Sequence, residues 1–320
     1  MTHAEAAAPR RPALVAALAL LRPKQWAKNV LLAPAIIFSD HFQEPQAWVQ
    51  VALGFAAFCL LSSTGYVFND LLDVEADRAH PKKRYRALAS GEVTPRGAWL
   101  LMAVTLVGAL ALAWAVSPAF TVVAGLYFVT TLSYSHFLKH HVILDVMFLS
   151  ACYLWRAVAG AVAIDVRVSP WLLLCTAFLA LFLGFNKRRG EILLLEGQKG
   201  TRKALAAYSP AMLQEFQAIT TSGTIISYAL YTVQGSPTPW LLLTFPYVLF
   251  GIFRYIYLVD KGEGAAPDET LLRDRPILVS GMLYLLTAVV VLVFAPRPAA
   301  VHTLPSPPTP RAPSAQQVAP

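Results

Sequence analysis

The sequence predicts an all-α polytopic membrane protein with nine transmembrane helices, and three observations carry that reading. The chain is 57% hydrophobic and 14% charged over 320 residues, with a mean hydropathy of +0.54, which excludes an ordinary soluble globule. Nine apolar runs recur along it, most near the roughly 20 residues a helix needs to cross a bilayer. Lys and Arg are confined almost entirely to alternate connections between those runs, as orientation in a membrane requires.

Taken in order, residues 1–12 are rich in Ala, Pro and Arg and are expected to be disordered. An interfacial start at 13–21 leads into Arg22-Pro23-Lys24-Gln25-Trp26-Ala27-Lys28-Asn29; charged Arg22 and Lys24 follow it where a signal peptide would need small residues. A short first span is expected over about 26–38. Further runs stand at about 47–69, 97–116, 118–138, 142–164, 169–186, 210–233, 238–259 and 275–296. The membrane domain is therefore 13–296, and the Pro-rich tail 297–320, with no periodic apolar face, is expected to be disordered.

The net charge of +8 does not signal a nucleic-acid partner, because the cations sit in short loops between apolar runs. The segments before and at the first span and at 78–96, 139–141, 187–203 and 261–275 hold 21 of the 26 Lys and Arg. They are expected in the cytoplasm with the N-terminus, in a plasma-membrane protein whose odd number of spans puts the C-terminus outside. Cys59, Cys152 and Cys175 lie inside apolar runs and are expected to be free thiols. His140-His141 reads as an interfacial loop rather than a metal site.

The densest chemistry is Asn69-Asp70-Leu71-Leu72-Asp73-Val74-Glu75-Ala76-Asp77, directly after the apolar run 51–68 and followed by Arg78-Ala79-His80-Pro81-Lys82-Lys83-Arg84-Tyr85-Arg86. If the helix continues, Asn69, Asp73 and Asp77 stack on one face. Carboxylates gathered this way call for a counter-charge, and a hard divalent cation shared with substrate phosphates fits. An acidic loop that merely ends a helix is the plainer reading, but so many acids at the end of a span are costly without a purpose. Three further charged stretches are expected on the same side: Tyr134 to Lys139, with Asp145 and Arg156 beyond it; Asn186 to Glu191; and Arg254-Tyr255 with Arg273-Asp274-Arg275.

The Asn69-x-x-x-Asp73-x-x-x-Asp77 pattern closing a second span resembles the UbiA superfamily of intramembrane prenyltransferases. That resemblance implies nine helices around a central cavity open sideways to lipid, and a prenyl diphosphate held through magnesium by two Asp-rich motifs. Here the second motif, expected between spans six and seven, reads Lys187-Arg188-Arg189-Gly190-Glu191. Losing acids and gaining cations removes ligands for one metal and supplies direct phosphate contacts. A donor with a pyrophosphate at one end and a phosphate elsewhere suits such a site. The chain is accordingly similar to the branch that transfers phosphoribose from phosphoribosyl pyrophosphate to decaprenyl phosphate in the cell-wall arabinan pathway. The stretches that carry this likeness are 22–29, the Asp77 to Arg84 strip, Tyr134 to Lys139, Lys187 to Glu191 and Arg254 to Leu258.

The resemblance implies Mg²⁺ on Asp73 and Asp77, with Asn69 as a neutral ligand or hydroxyl contact. Lys83, Arg84, Tyr134 and Lys139 are assigned to the donor, as are Lys187, Arg188 and Glu191 for its 5-phosphate or ribose hydroxyls. Lys24, Lys28, Arg156 and Arg254 are assigned to the lipid phosphate. Each has a plainer alternative. Lys24, Trp26 and Lys28 suit an interfacial anchor, Lys82 and Arg86 solvated or headgroup contacts, Arg189 orientation only, and Asp145 a structural partner for Arg156. A homo-oligomer is compatible with the sequence. Two rivals remain: a prenyltransferase joining a prenyl diphosphate to an aromatic acceptor, and an ion-coupled transporter. The basic 187–191 segment speaks against the first, and charges gathered at one face rather than the midplane against the second.

Overall fold

The computed structural model describes residues 11–81, 83–195, 207–264 and 266–296; the expected terminal tail at 297–320 and Lys82 lie outside them, as do residues 1–10. Every regular element among the described residues is helical. The elements are α1 (Ala13–Leu21), α2 (Pro34–Ile37), α3 (Pro45–Leu72), α4 (Val74–Ala79), α5 (Pro95–Val116), α6 (Pro118–His136), α7 (Leu144–Ala163), α8 (Pro170–Leu195), α9 (Pro210–Leu230), α10 (Phe245–Asp260), α11 (Pro267–Arg273) and α12 (Arg275–Phe294).

The starts follow local chemistry. Thr94, Ser117 and Ser209 each precede a proline, and each hydroxyl accepts a backbone N–H of the first turn, from Gly97, Phe120 and Met212. Proline lacks the N–H that the first turn would leave unpaired, so the hydroxyl-proline pair both sets φ and caps the end.

Six helical stretches are long and apolar enough to cross a membrane: α3, α5, α7, α8, the run Pro239–Asp260 that ends in α10, and α12. Nine spans are therefore not all matched by that measure. Helix α6 and helix α9 cover their expected runs but carry more hydroxyl and amide side chains. The expected first span is not a regular helix: Pro23–Leu32 is 3₁₀, bracketed by α1 and the four-residue α2. Pro23 and Pro34 punctuate it, and Arg22 turns the chain at φ 53°. Gly160 of α7 lets this segment approach, since a Cβ there would lie on the Leu32 carbonyl oxygen. Large apolar side chains are exposed along whole helix faces, among them Leu100, Val107 and Trp114 of α5 and Met282, Leu286 and Val293 of α12. Faces of that kind belong against lipid, and the chain is an integral membrane protein.

The interior has two main apolar clusters. One joins α3, α5, α6 and α7 around Phe58, Leu61, Phe120 and Tyr127. The other gathers α8, α9 and α12 around Cys175, Tyr228, Tyr231 and Ala288. Helices α7 and α8 pack together between them, so the end where α7 begins and α8 finishes stands where the two halves meet.

Candidate active site

The acidic motif is not one unbroken helix. Helix α3 ends at Leu72, Asp73 sits at φ −98° and ψ 7°, and α4 begins at Val74. The i to i−4 backbone bonds nonetheless run through the break, from Asp73 N–H to the Asn69 carbonyl and from Asp77 N–H to the Asp73 carbonyl. Asn69, Asp73 and Asp77 therefore keep their common face, and Asn69 Nδ2 donates to Asp73 Oδ2 at 3.2 Å.

The counter-charges are the protein's own. Lys139 Nζ stands 2.8 and 2.9 Å from the two oxygens of Asp73. Arg86 Nη1 bridges Asp77 Oδ2 at 2.6 Å and Asp70 Oδ1 at 3.1 Å. Arg22 Nη2 reaches the same Asp70 oxygen at 2.5 Å, and Lys83 Nζ lies 3.8 Å from Asp77. Four cations thus face three carboxylates, a local balance that favours an incoming polyanion.

Packing explains how loop cations reach these acids. Ala87 and Leu88, just beyond Arg86, are buried in one apolar cluster with Ala16 and Leu20 of α1, Val67 of α3 and Ala98 of α5. That plug pins the 83–93 loop over the end of α3 and sets Arg86 between Asp70 and Asp77. The same cluster seats α1, whose last residue precedes Arg22. Arg86 is therefore not the solvated or headgroup residue expected from sequence, and neither it nor Arg22 was among the assigned site residues. Their signal was the basic strip and the 22–29 stretch, but only the fold shows which cation meets which acid.

The second cluster forms on α7, α8 and the start of α9. Arg188 is buried; its Nε donates to Asp145 Oδ2 at 2.8 Å and its Nη1 to Glu191 Oε2 at 2.8 Å. Tyr208 OH donates to Asp145 Oδ1 at 2.7 Å and accepts the Ile143 N–H at 2.6 Å. Burial, with the bond to Asp145 next, pushes the Tyr208 phenol up, so it stays a donor. Tyr134, near the end of α6, is half-buried. Lys187 is half-buried, and Asn186 before it is fully buried, its Nδ2 donating to the Phe182 carbonyl while Oδ1 finds no partner among the described residues. The α6–α7 connection links the clusters, since Lys139 and Asp145 stand six residues apart and serve one cluster each.

Several assignments change. Asp145 pairs with Arg188, not with Arg156. Arg156 is 4% exposed and is held by Asn29 Oδ1, the Cys152 carbonyl and Tyr127 OH at 2.8–2.9 Å. It lies eleven residues along α7 from Asp145, about 16 Å deeper at the helical rise, too far for a phosphate bound at Asp73. Arg254 directs its guanidinium to Asp274, Nη2 to Oδ2 at 2.9 Å, and stacks on Tyr257. It ties α10 to the N-cap of α12, and it holds the Asp274 carboxyl below the usual carboxylate range. Arg189 is more than orientational, reaching Asp260 at 2.7 Å and Gln217 at 2.9 Å. Arg84 is exposed and folds onto Tyr85. On the 3₁₀ segment, Lys24 is exposed and Lys28 half-buried, while Trp26 Nε1 donates to Ser63 of α3.

Among the described residues no group of three or more His, Cys, Asp or Glu side chains could by itself cage a metal. Mg²⁺ does not need one. It keeps several waters and binds through one or two carboxylates plus substrate phosphates. Asp73 and Asp77, already drawing cations and backed by Asn69, fit that donor set. At the opposite end of the bundle lies a mostly apolar cavity of about 280 Å³, lined by Leu31, Phe38, Val166, Leu172 and Tyr231. A second, of about 250 Å³ between the first segment and α12, shares Ser39 and Pro237 with it.

The helical bundle is that of an integral membrane protein with an acidic helix end and an opposing basic segment gathered at one end. The UbiA prenyltransferase family model matches residues 31–274, and the chain belongs to that family. It is similar to solved UbiA homologues from Archaeoglobus fulgidus, one bound to GPP and Mg²⁺, with a TM-score of 0.66 at 21% identity over 87% of this chain and 99% of that one. Closer in sequence is the decaprenyl-phosphate phosphoribosyltransferase of Corynebacterium glutamicum, 36% identical over 86% of each chain. The enzyme of that name from Mycolicibacterium smegmatis is 34% identical over 81% of this chain and 86% of its own.

Proposed function

We propose that this protein transfers the 5-phosphoribosyl group of phosphoribosyl pyrophosphate to a polyprenyl phosphate, decaprenyl phosphate in the first instance. The product is decaprenylphosphoryl-5-phosphoribose, a cell-wall arabinan precursor, with pyrophosphate released. The observation that carries the reading is the pairing of the intact Asn69/Asp73/Asp77 motif with a second motif occupied by Arg188 in place of a metal-ligating acid. The names of the relatives from Corynebacterium and Mycolicibacterium agree with it.

An oxygen of the lipid phosphate forms the new bond to ribose C1 as the bond from C1 to pyrophosphate breaks. That phosphate is already ionised near pH 7, so positioning and charge carry the rate rather than a strong general base. Mg²⁺ held by Asp73 and Asp77 would neutralise the leaving pyrophosphate. Lys139 and Lys83 stand beside those carboxylates and exchange them for donor phosphates when the donor binds, while Asn69 contacts metal or a hydroxyl. Tyr134, Lys187, Arg188 and Glu191 receive the 5-phosphate and ribose. Lys24 and Lys28 remain the cations for the lipid phosphate, and the mostly apolar cavity lined by Phe38, Leu172 and Tyr231 gives room to part of the prenyl tail. The reading places nine spans in the plasma membrane, counting α6, α9 and the broken first segment, with the N-terminus and the site on the cytoplasmic side.

The test incubates membranes carrying the protein with labelled phosphoribosyl pyrophosphate, decaprenyl phosphate and Mg²⁺, with and without EDTA. Label is expected in the organic phase only without chelator. Consumption of a prenyl diphosphate with an aromatic acceptor instead would overturn the donor assignment.

A further inference from the structure

Asp145 and Tyr208 belong to no assigned role, yet they surround the one buried cation of the basic motif. Asp145 is 1% exposed. Its two oxygens are divided, Oδ2 to Arg188 and Oδ1 to Tyr208. Glu191, one turn along α8, takes the Nη1 of the same guanidinium. Two carboxylates therefore hold Arg188 as they would hold a metal, and Tyr208 fixes the deeper of the two.

The backbone beside them is strained. Ile143 adopts φ 69° and ψ −49°, and the Leu144 N–H bonds the Val142 carbonyl at 2.8 Å. That is a γ-turn of the rare, strained kind, centred on a β-branched residue for which positive φ is a genuine outlier. Such conformations persist only where the surroundings over-determine them, and they gather at functional sites. Here Tyr208 accepts the Ile143 N–H at 2.6 Å, so one phenol secures both the turn and Asp145. The turn lies in the connection that carries Lys139 to Asp73.

We infer that Asp145 and Tyr208 are positioning residues, which hold Arg188 as a built-in cation for the phosphate-bearing end of the donor where a metal-ligating motif would otherwise stand. The inference rests on the phosphoribosyl reading. Arg188 Nε and Nη1 each donate to a carboxylate, so the donor phosphate meets Nη2, the nitrogen between those two bonds. Holding the other two nitrogens in place fixes the direction in which Nη2 donates.

The experiment measures steady-state kinetics in detergent for wild type, Tyr208→Phe, Asp145→Asn, Arg188→Met and the Tyr208→Phe/Arg188→Met pair, with thermal melts of each. Losing the phenol's hydrogen bonds is expected to raise the KM for phosphoribosyl pyrophosphate about fivefold, with kcat and the KM for decaprenyl phosphate within twofold. Asp145→Asn should act in the same direction and further. In the Arg188→Met background, Tyr208→Phe should add nothing, because it acts through that residue. A Tyr208→Phe enzyme that melts earlier with unchanged donor KM, or a Tyr208 effect undiminished without Arg188, overturns the positioning role while leaving the transferase reading intact. A wild type that never consumes phosphoribosyl pyrophosphate overturns both.

Discussion

Replacing Arg156 by Met tests whether this buried guanidinium is a lipid-phosphate ligand or a pin for the first segment. Arg156 bonds Asn29 of the 3₁₀ segment, Tyr127 of α6 and a carbonyl of its own helix. It also lies over the rings of Tyr127 and Tyr153 at 4.8 and 5.5 Å. Among the described residues no carboxylate forms an ion pair with it, so removing it relieves a desolvation cost while stranding an amide oxygen and a phenol. Three bonds at roughly 0.6–1.5 kcal/mol each, part of that offset by the relief, give a net loss of about 2–3 kcal/mol. For a domain of this size that is a fall in Tm of about 3–5 °C. The assay is a detergent melt beside kinetics with both substrates. The expected result is the lowered Tm with both KM values within about twofold. An unchanged Tm with a tenfold higher KM for the lipid phosphate would show that Arg156 does meet that phosphate, and the depth argument would fail.

Arg86→Met should leave Asp70 and Asp77 short of their shared cation; we expect a large loss of kcat/KM, on the order of tenfold or more, with substantial recovery in Arg86→Lys, because both bonds come from the single nitrogen Nη1 and an ammonium can make the same bridge. Gly160→Val would drive a side chain into the Leu32 backbone, and should cost about 1–3 kcal/mol or more of stability, read as a lower Tm with the first segment more open to protease. The Arg254–Asp274 pair has a pH signature. Asp274 is held below its usual range, so its contribution is present above the unfolded carboxylate pKa and is lost as pH falls through the lowered folded value. The Tm difference between wild type and Asp274→Asn should therefore be flat from pH 8 to about 5 and shrink below about 4; a difference growing on acidification would refute the assignment.

Much of this protein was legible in its sequence because the signals are local and one-dimensional. Apolar run length reports the membrane. The spacing of Asn69, Asp73 and Asp77 reports a shared helix face that survives a break at Asp73. Charge pairing was not legible, because it depends on which loops are packed against which helix ends. The burial of Ala87 and Leu88 against α1 makes Arg86 the bridge between Asp70 and Asp77, while its neighbour Arg84 stays on the surface. The same kind of decision gives Asp145 to Arg188 across α7 and α8, although Asp145 and Arg156 share a helix: eleven residues along that helix are about 16 Å, whereas neighbouring helices bring side chains into contact. A guanidinium in a membrane domain takes the nearest acceptor that spares it desolvation, and only the tertiary structure decides which acceptor is near.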